Sequence, residues 1–199
     1  VTSRAALREE QKTATRHRVL DAAVRVFTET PFGSVSVADL AAAAGVTRMT
    51  VYAHFPDGKA DIVRGLIARV YATADGLYTD LAEADWTREA IGAWVSAAAR
   101  AWQELAPTIR VVTTAGVITR EPGERGQYVE AHARYVALLS TGPRWAGVAA
   151  DEARQRALMA VLQVECVLTV WATGAWPDAG EPLELLADAV CHLLAPALG

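Results

Sequence analysis

Apolar and polar positions recur along this chain at helical spacing. Leu20, Ala23, Val24 and Phe27 fall at i, i+3, i+4 and i+7, one stripe of a helix expected over 13–28. Thr30-Pro31-Phe32-Gly33 ends it. Ser36 is a good N-cap, and Asp39 three residues later makes a short-armed relative of the capping box. Leu40, Ala43 and Ala44 give the helix that follows a buried side, and Gly45 breaks it. Thr47 is a second N-cap, for a helix over 48–55 that turns Val51 and Phe55 inward, with Val46 packing just before it. Pro56-Asp57-Gly58 stops that helix, and Asp57 can cap a long one beginning near Lys59.

Beyond this head the pattern gives helices near 86–105, 107–118, 123–139, 151–173 and 181–196. Turns at Pro107, Glu121-Pro122-Gly123, Gly142-Pro143 and Trp176-Pro177 separate them. No alternating run calls for a strand, and no repeat of solenoid period is present. From Ala157 to Ala172 only Gln163, Glu165 and Thr169 are clearly polar, so that helix is apolar around most of its circumference. In the last helix Leu183, Leu186, Ala187, Val190 and Leu194 form a stripe that Cys191 and Leu193 widen. A chain this short does not easily wrap both faces of such helices, and a two-fold copy of itself is the economical cover. Val161, Leu168, Leu183, Leu186, Val190 and Leu194 are the candidate dimer contacts.

Composition agrees with an all-α fold. Of 199 residues 52% are apolar, 21% are charged and 41 are alanine, the best helix former, which excludes a disordered chain. The net charge of −4 is unevenly spread. Residues 1–69 hold 10 Lys and Arg against 7 Asp and Glu, while residues 70–199 hold 9 against 16. A mildly basic head on an acidic body points the head toward nucleic acid. The arm before it carries Arg4, Arg8 and Lys12 interleaved with Glu9 and Glu10; it is expected to be a solvated, frayed tail, with reach along DNA the alternative. The N-terminal residues have no apolar leader core, and no stretch reaches the roughly 18–20 apolar residues of a membrane span, so a soluble, cytoplasmic protein is expected. Cys166 and Cys191 are expected to be buried small hydrophobes in a reducing compartment.

Two short helices about a tight turn at Gly45-Val46 have helix-turn-helix spacing, in which the second helix enters a major groove. That helix leaves Arg48, Met49, Thr50, Tyr52 and His54 facing out. Arginine reads guanine bidentately, Met49 and Thr50 suit thymine methyls or base edges, and Tyr52 and His54 suit phosphates. A generic three-helix packing unit is the plainer reading of the spacing alone. Nothing suggests catalysis: HExxH, GxSxG, P-loop and GxGxxG signatures are absent. Glu165-Cys166 and Cys191-His192 are chain neighbours, which face different directions on a helix. No catalytic residue, metal or cofactor is therefore expected.

The stretch Thr15–Val70 resembles the DNA-binding domain of the tetracycline-repressor-like (TetR-type) transcriptional regulators. Phe27, then Gly33-Ser34-Val35-Ser36-Val37-Ala38-Asp39-Leu40-Ala41, then Gly45-Val46-Thr47-Arg48-Met49-Thr50-Val51-Tyr52-Ala53-His54-Phe55 carry the resemblance in order and at spacing. It implies that Arg48, Met49 and Thr50 face bases, that Tyr52 and His54 hold phosphates, and that Ser36, Val37 and Thr47 lie near the DNA backbone. The lysine that such proteins often place at the start of the fourth helix to touch a phosphate is Gly58 here, with Lys59 one residue late as the candidate contact. The resemblance also implies a four-helix dimer interface in the last two helices and an effector pocket in the body. Trp94, Trp102, Tyr128, His132, Gln163 and Trp171, large or polar groups among many alanines, are the candidate pocket residues.

The expectation is an all-α chain with a three-helix helix-turn-helix DNA-binding domain over 1–60 and a helical effector-binding and dimerisation domain over 61–199. Its partners would be palindromic double-stranded operator DNA, a second copy of itself and an unknown small, mostly apolar effector, with no membrane. The competing reading is an all-α protein-interaction or cysteine-based sensing module.

Overall fold

The computed structural model describes residues 3–114, 122–177 and 180–195. Among them every regular element is helical: α1 (Arg4–Glu29), α2 (Val37–Ala44), α3 (Arg48–His54), α4 (Lys59–Glu83), α5 (Arg88–Thr114), α6 (Pro122–Leu139), α7 (Ala150–Ala172) and α8 (Leu183–Leu194). Short 3-10 turns stand at Phe32–Ser34 and Pro143–Trp145. The chain forms two compact units, residues 1–69 with 110–116, and residues 70–109 with 117–199. No described helix is long and apolar enough to cross a membrane.

The first unit is organised by local caps. The Ser36 hydroxyl oxygen accepts the Asp39 N–H at 3.2 Å, and the Asp39 carboxylate accepts the Ser36 N–H at 2.8 Å, a reciprocal box opening α2. Gly45 closes α2 at φ 64°, where only glycine sits without strain, and the Val46 N–H returns to the Ala41 carbonyl at 3.0 Å. The Thr47 hydroxyl then caps α3 by accepting the Thr50 N–H at 3.1 Å. Val19, Leu20, Ala23, Leu40, Ala41, Val51, Phe55, Ile62 and Leu66 form the core beneath. At Gly65 α4 crosses α1 so closely that a Cβ would lie 3.0 Å from Leu20 Cδ2. The buried side of α2 is set by Val37, so Leu40, Ala41 and Ala44 follow at helical spacing and Ala43 is exposed.

The second unit packs α6, α7 and α8 with the remainder of α4 and α5 around Tyr78, Trp94, Trp102, Tyr135, Leu139, Val161, Val164, Leu168, Leu186, Val190 and Leu194. Tyr78 and Tyr135 stack at 4.3 Å, and the Trp145 ring N–H donates to the Leu139 carbonyl at 2.8 Å. Arg88 ties α5 to α8 through Glu184 at 2.7 Å and through Asp188.

Three further expectations change. Pro107 does not separate two helices but lies inside α5. A proline there forfeits one backbone hydrogen bond, and the burial of Leu105, Ala106 and Ile109 on either side compensates. The expected helix end at Ile118, the start of the turn at Glu121 and the terminal Pro196 lie outside the described residues. The arm is not frayed: α1 begins at Arg4, capped by the Ser3 hydroxyl. Residues 4–14 are almost all good helix formers, and extending an existing helix carries no nucleation cost. Cys166 is exposed and Cys191 half-buried, both as free thiols, so neither is a fully buried hydrophobe.

Candidate nucleic-acid interface

The outward side of α3 collects the residues expected to meet DNA. Arg48 and Thr47 are exposed, Met49 is 77% exposed and Tyr52 is 39% exposed, large exposures for apolar groups on a short helix. Val51 and Phe55 on the opposite side have no exposed surface and fix the helix on the core. Thr50 is half-buried, its hydroxyl 2.9 Å from that of Thr47. Ser36 is exposed at the mouth of α2 and Val37 half-buried beside it.

His54 closes α3. Its carbonyl accepts from the Arg16 guanidinium at 3.0 Å, and that guanidinium lies over the Phe55 ring at 4.5 Å. Partial burial, with the positive charges of Lys12 and Arg16 nearby, holds the His54 imidazole below its ordinary range. The residue joining α1 to the end of α3 is thus Arg16, which the apolar stripe of the first helix leaves to one side; its place four residues before Leu20 is the signal that could have found it.

Lys59 is placed differently from the expectation. Its ammonium donates to the Phe32 carbonyl at 2.8 Å and sits over the Phe32 ring at 4.5 Å. The side chain is half-buried and engaged with its own domain. Gly58, where the resembling proteins often have lysine, has φ 61°, and a Cβ there would lie 3.3 Å from Val37 Cγ2 and 3.6 Å from Tyr52 Cε1. Glycine at 58 thus lets the backbone turn against Val37 of α2 and Tyr52 of α3.

In the second unit the six pocket candidates are divided between the core, the surface and a cleft. Trp94 is buried with its ring N–H donated to the Leu77 carbonyl at 2.7 Å, and Trp102 is buried with its own directed at the Thr169 hydroxyl at 3.3 Å. Both indoles are spent in the core. Trp171 is half-buried, and Gln163 is on the exposed side of α7. Tyr128 and His132 share a cleft of about 440 Å³ between α6 and α7, whose other walls include Val129, Val136, Leu158 and Leu162.

His132 is buried, with Nδ1 2.7 Å from the Tyr128 carbonyl and Nε2 2.6 Å from Glu165. A carbonyl only accepts, so Nδ1 donates to it, and Nε2 is left facing the Glu165 carboxylate. Burial would push the imidazole down, but the hydrogen bond and charge of Glu165 and the Tyr128 carbonyl outweigh it and raise it. Glu165 is four residues before Thr169 on α7 and was visible in the sequence only as a polar interruption.

The dimer candidates also move. Val161, Leu168, Val190 and Leu194 have no exposed surface, Leu186 has 4%, and Leu183 is partly buried against the same core. A side chain already enclosed by its own chain has no surface to offer a second copy. What α7 and α8 leave open is Leu158, Met159, Leu162 and Leu185, the last 74% exposed. Among the described residues no group of three or more His, Cys, Asp or Glu is placed to hold a metal ion.

Comparison with known proteins falls on the same head. Residues 19–66 match the family model of bacterial regulatory proteins, tetR family. Over 69 residues the chain is 36% identical to the HTH-type transcriptional regulator TtgR of Pseudomonas putida; the match covers 35% of this chain and spans about a third (32%) of that relative's length. The fold resembles that of a protein of Mesorhizobium loti assigned to the TetR-family transcriptional regulators, with a TM-score of 0.60 at 19% identity over 90% of this chain and 94% of that one. It also resembles NalD, the secondary repressor of the MexAB-OprM multidrug efflux pump in Pseudomonas aeruginosa, with a TM-score of 0.57 at 20% identity over 95% of this chain and all of that one.

Proposed function

We propose, for a chain that carries a TetR-family N-terminal helix-turn-helix domain, that it is a sequence-specific DNA-binding transcriptional regulator, a repressor released from a palindromic operator by a small, mostly apolar effector. The observation that carries the reading is the surface of α3: Arg48, Met49 and Tyr52 stand exposed on a short helix anchored by fully buried Val51 and Phe55. In this reading Arg48, Met49 and Thr50 meet base edges in the major groove. Tyr52 and His54 hold phosphates, and Ser36, Val37 and Thr47 approach the DNA backbone at the starts of α2 and α3. Lys59 acts inside the domain and is not among the contacts.

One short helix reads only a few base pairs, and two on a two-fold axis read an inverted repeat. The second copy packs on the exposed apolar side chains Met159 of α7 and Leu185 of α8, rather than on the side chains buried beneath them. The functional division of the chain at 60/61 belongs to this proposal. The effector occupies the cleft beside Tyr128 and His132. It acts through helix α4, which belongs to both compact units, and only to the extent that it binds the DNA-competent and incompetent states differently.

Selection from random duplex DNA with the purified chain, at a stated salt concentration, tests the reading. An enriched inverted repeat supports it. A folded, helical protein that enriches nothing removes it. A cleft ligand that leaves operator affinity unchanged at saturation removes the effector part alone.

A further inference from the structure

Helix α1 is longer than its domain needs. Its 26 residues span about 39 Å at 1.5 Å per residue, yet burial starts only at Thr15, and every residue from Ser3 to Ala14 is exposed. The first eleven residues of the helix therefore form an ordered overhang of about 16 Å.

The overhang is basic on one row. Arg4, Arg8, Lys12 and Arg16 follow one another at intervals of four, the spacing that keeps side chains on one side of a helix. The next member of the row is Leu20, buried in the helix-turn-helix core. The same side of α1 thus packs on the domain along its second half and carries exposed cations along its first. At the junction Arg16 grips the His54 carbonyl at the end of α3, so the row leads outward from the part of α3 assigned to phosphates. Arg4 and Arg8 have no acidic or hydrogen-bonding partner among the described residues. Lys12 meets only Glu9, at 3.8 Å and well exposed, a pair that competes weakly with a phosphate.

We propose that this helical overhang is a second DNA-binding surface, with Arg4, Arg8 and Lys12 lying along phosphates outside the base pairs read by α3. Its length matches about five base pairs of backbone at 3.4 Å each. It adds affinity and salt dependence without sequence preference. The inference rests on the DNA-binding reading above, and the two fail separately.

Three duplexes test it. One carries the enriched repeat cut at its outer base pairs, one extends that repeat by about one helical turn on each side, and one is a mixed sequence of the longer length. The wild-type chain should bind the longer repeat more tightly and with a steeper dependence on salt than the short one. The variant Arg4→Gln/Arg8→Gln/Lys12→Gln should lose that difference, its log–log slope falling by about 0.9 for every phosphate contact removed. Its ranking of altered repeats should not change. Glu9→Gln should steepen the slope. The substituted positions are exposed, so unchanged helicity and melting temperature confirm that each variant is folded. A triple variant with wild-type slope and affinity on the longer repeat overturns the inference and leaves base reading intact. If no repeat is enriched, the mixed duplex at low salt reads the same contacts: weaker binding by the triple variant upholds the overhang, and equal binding overturns it.

Discussion

Lys59 donates to the carbonyl of Phe32 at 2.8 Å and covers its ring, pinning the 3-10 turn at Phe32–Ser34 to the start of α4. This contact turns a candidate DNA ligand into a structural clasp. Lys59→Ala should therefore cost stability, about 1–2 kcal/mol for one charged hydrogen bond and a half-exposed cation–π contact. The salt slope of DNA binding should stay at its wild-type value. Urea melts and salt titrations of the same preparation read both. A slope lower by about one would return Lys59 to the phosphates.

Gly58 permits the turn beside that clasp. With φ 61° and a virtual Cβ 3.3 Å from Val37 Cγ2, Gly58→Ala should destabilise the first unit by about 1–2 kcal/mol, the cost of a left-handed residue that has a Cβ. Equilibrium unfolding measures it, and an unchanged midpoint would contradict the geometry.

Arg48 and Tyr52 are both exposed on α3 but are assigned different work. Arg48→Ala should lose about 1–3 kcal/mol of binding and relax base preference at one position in each half-site. Tyr52→Phe should weaken every sequence alike. Binding measured across a set of single-substitution operators separates the two. Equal loss on all sequences for Arg48→Ala would refute its assignment to a base.

The His132–Glu165 pair makes the second unit sensitive to pH. Because the His132 imidazole is raised above its ordinary 6.5, its contribution is complete below about 6.5 and is lost as pH rises through the higher folded-state value. The stability of the wild type should decline over that interval relative to His132→Gln, whose profile should be flatter there. Denaturant midpoints across neutral and mildly alkaline pH check this, and parallel profiles would contradict it.

The exposed apolar side chains Met159 and Leu185 separate pairing from folding. Met159→Glu with Leu185→Glu, at positions 52% and 74% exposed, should give a folded monomer in sedimentation with weakened operator binding. Val161→Glu, which buries a charge in the core, should not fold stably. A double variant that remains dimeric would move the interface elsewhere.

The helix-turn-helix was legible because its signals are local. Ser36 with Asp39, Gly45 and Thr47 each act within a few residues, and the caps they form are those the sequence predicts. The second unit was legible only as helices. Whether Trp94 and Trp102 line a cavity or fill a core depends on Leu77 and Thr169, 17 and 67 residues away. Composition alone does not bring such partners together. The stripes of α7 and α8 were read as apolar, but an apolar stripe serves the chain's own core before it serves a partner. Hence the buried Val161 and Val190 looked like interface, while Met159 and Leu185 drew no notice. Lys59 shows the same limit: its offset from the family lysine position was visible, and its hold on Phe32, 27 residues back, was not.

The central claim is that the first unit reads DNA sequence. It is tested most directly by the affinity of the purified chain for the enriched repeat and for a scrambled duplex of equal length and composition, at one physiological salt concentration. A specific regulator should bind the repeat roughly 10³-fold or more tightly than the scrambled duplex. A ratio near one, with the protein folded and the salt dependence intact, would mean that the basic head meets only the DNA backbone and that Arg48, Met49 and Thr50 read nothing.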